Sequence, residues 1–372
     1  MHKLRQMGHQ SARNQLVEDG ECRSIKTDHV ERDIGLGAPL YFLVSVPNEA
    51  FHKVMSLRAL QRRLGIDTSV YRNATDLLRN VERSFGGRLV LLDWSNGRIA
   101  ADLPVPGASG IAVRDGGVFV SSWTDHSVHI WLPGYPLSSI SHPWFNHLHT
   151  VELTASGTMM IASAGIDTIL EVSFQGEVLS HWCGGTAVPE LGKDYREVRR
   201  STAERTMHIT SALPVGDDKI LAALFHQGEV RLIDRTTGES QTILSGLTHP
   251  HGIHCLAGRY IVSDTLGHRI LFLDDAFRLC SEIPFGSEWL QDTIRTSAGT
   301  YLALENVHID QRPEPGLSNA IVEIDRLGRP LRRLTMPADY RLFAAREIGE
   351  DLARSMVEGW TGTGGLDKWV WE

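Results

Sequence analysis

Cysteine is scarce in this chain: four in 372 residues, at Cys22, Cys183, Cys255 and Cys280, with no C-x-x-C spacing among them. That argues against a zinc knuckle and a disulfide scaffold and leaves small buried or free thiols. Basic residues are also in deficit. With 37 Lys and Arg against 45 Asp and Glu, the formal charge of −8 speaks against a general nucleic-acid-binding surface while allowing a local anion site. No apolar run approaches the roughly 18 residues of a spanning helix, so no membrane association is expected. The opening residues, MHKLRQMGHQSARNQ, have no apolar core after their charges. A secretory signal is therefore not expected, the chain reads as cytoplasmic, and the sequon at Asn73-Ala74-Thr75 carries no weight.

What the chain does have is repetition. From Thr248 to Asp274 it reads THPHGIHCLAGRYIVSDTLGHRILFLD, three short apolar runs split by turn residues, with the first opening at His251. Looser copies cover Ser109–Leu132, His149–Val172, Thr206–Asp234 and Gln291–Asp325. A period of roughly 40 residues with three or four strands per unit predicts an all-β fold, a β-propeller. Five whole units and one split unit make it six-bladed, with seven blades as the alternative if weak strands are counted.

The domain organisation follows. Residues 1–37 are polar and aperiodic and are expected to form a disordered or loosely packed arm. Residues 38–345 form the propeller. Within it, residues 49–87 are a helical insertion with Val54, Leu57, Leu60 and Leu64 at helical spacing, then Leu77, Leu78 and Val81. Residues 346–372 are expected to be a C-terminal helix and tail packing on the propeller. The first blade lacks an inner strand, and Tyr340–Ala345 is expected to supply it and close the ring.

In an up-and-down blade the starts of the inner strands ring the channel on one face. Read across the repeats, that column is Ser109, His149, His208, His251 and Asp292. Three imidazoles and a carboxylate at one point suit a divalent transition metal, Fe, Zn, Mn or Cu, with His149, His208, His251 and Asp292 as ligands. The second-strand ends add Asn48, Asp125, His226, Asp264 and Glu305 to that face. Asp292 of the inner column, Glu305 and His226 of the second-strand ends, and the strand-end charge Arg295 are the catalytic candidates. His147, His249 and His254 lie beside the column and suit supporting contacts better than ligation. Arg196, Arg199, Arg200 and Arg205 read first as a solvated charge run and second as a means of capturing an anionic substrate.

The opening stretch resembles the NHL-type propeller repeat through Pro250, Gly252-Ile253, Ile261-Val262-Ser263-Asp264 and Gly267-His268-Arg269-Ile270. The resemblance implies the six-bladed superfamily that includes gluconolactonase-like hydrolases and peptidyl-hydroxyglycine amidating lyases. Similarity to those lyases implies His149, His208 and His251 as metal ligands. The gluconolactonase-like pattern implies Glu and Asn where this chain has histidine. Phe145–Glu152, FNHLHTVE, is similar to repeats of bacterial arylsulfotransferases, which implies a histidine nucleophile. The expected function is thus a metal-dependent lyase or hydrolase acting on a small-molecule substrate in the central channel, with oxidative chemistry as a variant. Histidine-nucleophile group transfer and a non-catalytic propeller that binds a protein partner are the alternatives.

Overall fold

The computed structural model describes residues 39–63, 81–184, 188–197, 207–256, 258–308, 316–360 and 366–372. The expected arm at 1–37, together with Leu64, Leu77, Leu78, Arg199, Arg200 and Arg205, lies outside the described residues. Ala38–Glu372 is one compact unit. Among the described residues, no helix is long and apolar enough to cross a membrane.

Six antiparallel sheets form a six-bladed β-propeller. Each blade orders its strands from the hub outward. The inner strands are Ala345–Ile348, Ala108–Arg114, Leu148–Leu153, Ile209–Val215, Pro250–Leu256 and Trp289–Arg295, and each touches the next around a closed ring. The second strands carry the clearest mark of the fold. Met159–Ser163 and Gly117–Ser122 are buried at every position, because a blade in mid-ring is covered on both faces. The outer strands, such as Ser138–Ile140 and Leu279–Pro284, are mostly exposed.

The ring closes between chain segments far apart in sequence. Tyr41–Val46, Arg88–Asp93 and Arg98–Pro104 make three strands of the first blade, and Ala345–Ile348 pairs with Tyr41–Val44 as the fourth. The closing strand therefore begins where the expected one, Tyr340–Ala345, ends. The preceding residues are tied down irregularly instead: Asn306 Oδ1 accepts from Leu342 N–H, and Ser45 accepts from Phe343 and Ala344. Helix α1 (Phe51–Arg63) leaves the first blade on the same face as these ties, and Asp339 accepts from the N–H groups of Phe51 and His52. Helix α2 (Glu350–Gly359) follows the closing strand, with Glu350 and Asp351 in its first turn where the helix dipole favours acids. It buries Ala353 and Met356 against the core. Finally Val370–Trp371 adds a fifth strand to the last blade, and Trp371 meets Trp94 of the first blade at 4.9 Å.

Five of the six inner strands share an irregularity at the hub. Pairing with the second strand slips between Ala108 and Ile111, Leu148 and Val151, Ile209 and Ser211, His251 and Ile253, and Leu290 and Asp292. A bulge re-aims side chains, and here it turns one set toward the upper channel and the next toward the lower. Neighbouring backbones come close at the bulge. A Cβ on Gly110 would sit 2.6 Å from Thr150 Cα. Since backbone cannot yield as a flexible side chain does, Gly110→Ala is expected to destabilise the fold by about 1–3 kcal/mol, measured by urea denaturation. Gly134→Ala also changes a single glycine and has open space around it. It is the comparison for Gly110→Ala, although its positive φ carries a strain of its own.

Candidate functional site

The bulge sets the register of the site. Ser109 Oγ donates to Leu148 O at 2.8 Å, and Thr210 Oγ1 donates to Pro250 O at 2.7 Å. Each bond reaches the residue just before a histidine in the next blade, so Ser109, His149, Thr210 and His251 occupy one ring of positions. His208 is not in that ring. It sits two residues before Thr210 with φ 49°, as His147 sits before His149 with φ 50° and His249 before His251 with φ 59°. The expected column therefore mixed two rings, and the H-x-H spacings at 147/149 and 249/251 hold the signal that would have separated them.

Both rings open on one cavity of about 160 Å³ at the top of the channel. On its floor His149 Nε2 lies 3.3 Å from His208 Nε2, with the rings at 89°. His251 borders the same cavity. Its Nδ1 lies 3.2 Å from His249 O and 2.7 Å from Thr265 Oγ1. A carbonyl can only accept, so the hydrogen is on Nδ1, and Nε2 keeps its lone pair. Trp123, Phe225, Trp289 and Phe343 form aromatic walls, and Phe51, Val54 and Leu57 of α1 cover the opening. None of the aromatic wall residues stood out in the sequence as a site residue, because each belongs to a strand end or a pre-strand loop rather than to a motif.

Burial dominates the electrostatics. His149 and His208 are 3% and 8% exposed. Burial pushes both imidazoles well below their ordinary value, and the surrounding histidines push the same way. Burial likewise lowers His251 to about 3, against the partial support of the His249 carbonyl. All three are neutral at pH 7. The Nδ1 atoms of His149 and His208 are buried without a hydrogen-bond partner, a cost of the kind that functional sites carry.

Asp292 is not part of this group. The bulge turns it into the channel below, where Oδ1 lies 2.6 Å from His254 Nε2 and Oδ2 accepts from Ala345 N–H at 3.1 Å. Arg346 Nη1, which can only donate, lies 3.1 Å from His254 Nδ1, so His254 carries its hydrogen on Nε2 and donates it to Asp292. Arg346 also pairs with Glu152. Burial pushes the Asp292 carboxyl up, but His254, Arg346 and the Ala345 N–H together hold it below the usual aspartate value. For Glu152, burial prevails over Arg346 and leaves the carboxyl raised. This charged plug fills the lower channel, and Gln291 rather than Asp292 borders the upper cavity.

The other expected site residues divide in the same way. Glu305 is held by Arg333 at 2.9 Å, on its own blade and away from the cavity lining. Arg295 ends its inner strand, and that strand begins at the cavity, so it lies toward the opposite face. The His226 ring stands 5.4 Å from that of His208, beside the cavity. Asn48 lines the cavity, and its carbonyl accepts from Arg341 N–H. Asp125 pairs with Arg83 and His129, Asp264 with Arg269 and Thr248 N–H, and Arg196 with Asp194.

For a metal, the floor offers two donors at a suitable spacing. Two imidazoles on a tetrahedral ion with bonds of 2.0–2.1 Å have nitrogens roughly 3.3–3.4 Å apart. Among the described residues, however, no three His, Cys, Asp or Glu side chains are placed to hold an ion. Only His251 has the Nδ1 partner that metal-binding histidines ordinarily have.

No protein-family model matches the sequence, and no curated protein matches it. Solved structures do. A Bacteroides caccae protein of unknown function is 16% identical with a TM-score of 0.57, over 84% of this chain and 100% of that one. A chain of a nidogen/laminin complex is 10% identical with a TM-score of 0.54, over 82% and 98%. Virginiamycin B lyase from Staphylococcus aureus, solved as an inactive variant with quinupristin, is 9% identical with a TM-score of 0.44, over 65% and 84%. At these identities the likeness is one of fold.

Proposed function

We propose that this chain is an enzyme of lyase or hydrolase type that takes one small substrate into the upper cavity and moves protons with the buried imidazoles of His149, His208 and His251. The carrying observation is the 3.3 Å contact between two neutral imidazoles beside a third whose lone pair is fixed in place. His251 has the form of a general base. Its Nε2 is ready to accept a proton, while Thr265 and the His249 carbonyl would support the imidazolium that results. His149 and His208 share one hydrogen between their Nε2 atoms, an arrangement that can pass a proton across the floor. With a value of about 3, His251 is a weak base in the empty site. A negative charge on the bound substrate favours the imidazolium and raises it toward the working range. A concave cavity of about 160 Å³ suits a small molecule better than a protein partner.

Screening of small esters, lactones and hydroxy acids supplies the assay. His251→Gln is expected to lower kcat about 10²–10⁴-fold with KM little changed. ¹⁵N-histidine spectra are expected to show His251 in its Nδ1–H form, neutral down to pH about 4. Titration of that ring near pH 6.5, or full turnover by the variant, would contradict the proposal.

The same 3.3 Å spacing favours a second reading, in which His149, His208 and His251 hold a divalent transition metal such as Zn, Fe, Mn or Cu. Such an ion would polarise a substrate oxygen or supply hydroxide at neutral pH. In that reading His251 must move closer to the other two. Metal analysis of protein purified without an affinity tag decides: stoichiometric metal that is lost in His208→Ala selects this reading, and its absence from both proteins selects the first.

A further inference from the structure

We infer that the ligand of the upper cavity is an uncharged six-membered aromatic ring carrying a hydroxyl or N–H donor, a phenol in kind. The inference rests on the cavity being the substrate site and names the class of substrate it takes. Size comes first. The cavity measures about 160 Å³. An apolar protein cavity of about 150 Å³ takes up benzene, so one ring with a small substituent fills this one. Shape agrees, because flat side chains dominate the walls and one face-to-face stack is already present: Phe225 lies on His249 at 4.1 Å and 5°.

Hydrogen bonding decides the polarity. Three polar side chains of the lining are already engaged within the protein. Gln291 Oε1 accepts from Trp289 Nε1 at 2.8 Å, Arg341 Nη1 donates to the Val307 carbonyl, and Asn146 Nδ2 donates to the Tyr195 carbonyl. An ionised ligand would leave water for a lining in which these groups are already committed, and that transfer is costly. Two acceptors stand apart. Among the described residues, His251 Nε2 has no partner, its hydrogen being on Nδ1, and Asn48 Oδ1 is buried without one. Asn48 is only 4% exposed and lines the same cavity. Leaving a buried acceptor unpaired is costly, and a donor on the ligand removes that cost. The negative charge that strengthens His251 then develops on the substrate as it reacts instead of arriving with it.

Isothermal titration of the full chain with phenol, pyridine, cyclohexanol and benzoate tests this. Phenol is expected to bind about tenfold or more tightly than pyridine, whose ring nitrogen brings a lone pair where the cavity calls for a donor. It should exceed cyclohexanol about threefold, the share of contact between flat rings, and should exceed benzoate as well. ¹⁵N-histidine spectra should show phenol shifting the Nε2 resonance of His251. Trp123→Leu, which removes one aromatic wall, should reduce the preference for phenol over cyclohexanol and keep that over pyridine. Should that variant fail to fold, the unmodified chain still decides. Binding of pyridine, cyclohexanol or benzoate as tight as that of phenol, an unmoved His251 Nε2 signal, or no binding of phenol overturns the inference. The two proposals fail separately: phenol selectivity with unimpaired turnover in His251→Gln removes the imidazole chemistry and leaves this inference standing, and loss of turnover in that variant without phenol selectivity does the opposite.

Discussion

Arg346→Ala is expected to lower the stability of the fold by about 3–5 kcal/mol, the range for breaking a buried ion pair by removing one partner. Arg346 lies on the strand that closes the ring, and its side chain crosses the lower channel. It meets Glu152 of the third blade and His254 Nδ1 of the fifth, and it also donates to the carbonyl of Ala345. Asp292 of the sixth blade holds the same strand through the Ala345 N–H. Alanine leaves Glu152 and Asp292 in a buried channel with no arginine between them, so the loss reflects stranded charge as much as lost contacts. Urea denaturation measures it. Arg354→Ala, which removes an exposed pair with Glu350 on α2, should change stability by less than about 1 kcal/mol. Adding Glu152→Gln to Arg346→Ala should restore part of the loss. A change below 1 kcal/mol for Arg346→Ala would mean that the plug does not hold the ring.

The second large effect is acid lability between pH 7 and 5. An unfolded histidine titrates near 6.5, while folded His251 sits at about 3 and His149 and His208 are also pushed down. The unfolded chain therefore binds protons that the folded chain refuses. Stability is fully present above pH about 6.5 and is lost progressively as pH falls toward the folded values. At pH 5, His251 alone accounts for roughly 2 kcal/mol, being 1.5 pH units below the unfolded value at 1.36 kcal/mol per unit. His149 and His208 act in the same direction. Glu152 acts the other way, because its carboxyl is raised in the fold and takes up a proton before the unfolded chain does, but its effect falls in the carboxylate range. Melting temperature against pH, for the parent and for His251→Gln, checks the claim. The variant should show a shallower acid limb, and a flat parent curve from pH 7 to 5 would mean that the imidazoles are not held neutral.

The strands and their repeat were legible because a doubly covered strand must be apolar along its length and its turns must carry residues such as Gly, Asn and Asp. Gly258, Gly267 and the Asp264–Arg269 pair are local features of this kind, visible within one blade. The hub was less legible because it is assembled across blades. His149 and His208 meet across 59 positions, and the bulge inserts a residue that no periodicity records. The slip put Asp292 in the wrong ring on paper, and the unread H-x-H spacing did the same for His208, while the structure gives the former to the lower plug and the latter to the cavity floor. Arg341 was overlooked for a related reason. The chain around it is bonded to Asn48 and Asn306, hundreds of residues earlier in one case, and has no repeat signature of its own.

The seam in the first blade also bears on how the molecule is made. Ser45 and Ala344, bonded in the finished ring, are 299 positions apart. The strand Tyr41–Val46 therefore emerges first and waits for its hub-side neighbour until the 299 positions that separate them have been translated. Throughout that interval its open edge can recruit a strand from another nascent copy, so intermolecular pairing competes with closure. Yield on refolding should accordingly fall with protein concentration more steeply than the thermodynamics of the finished ring would suggest.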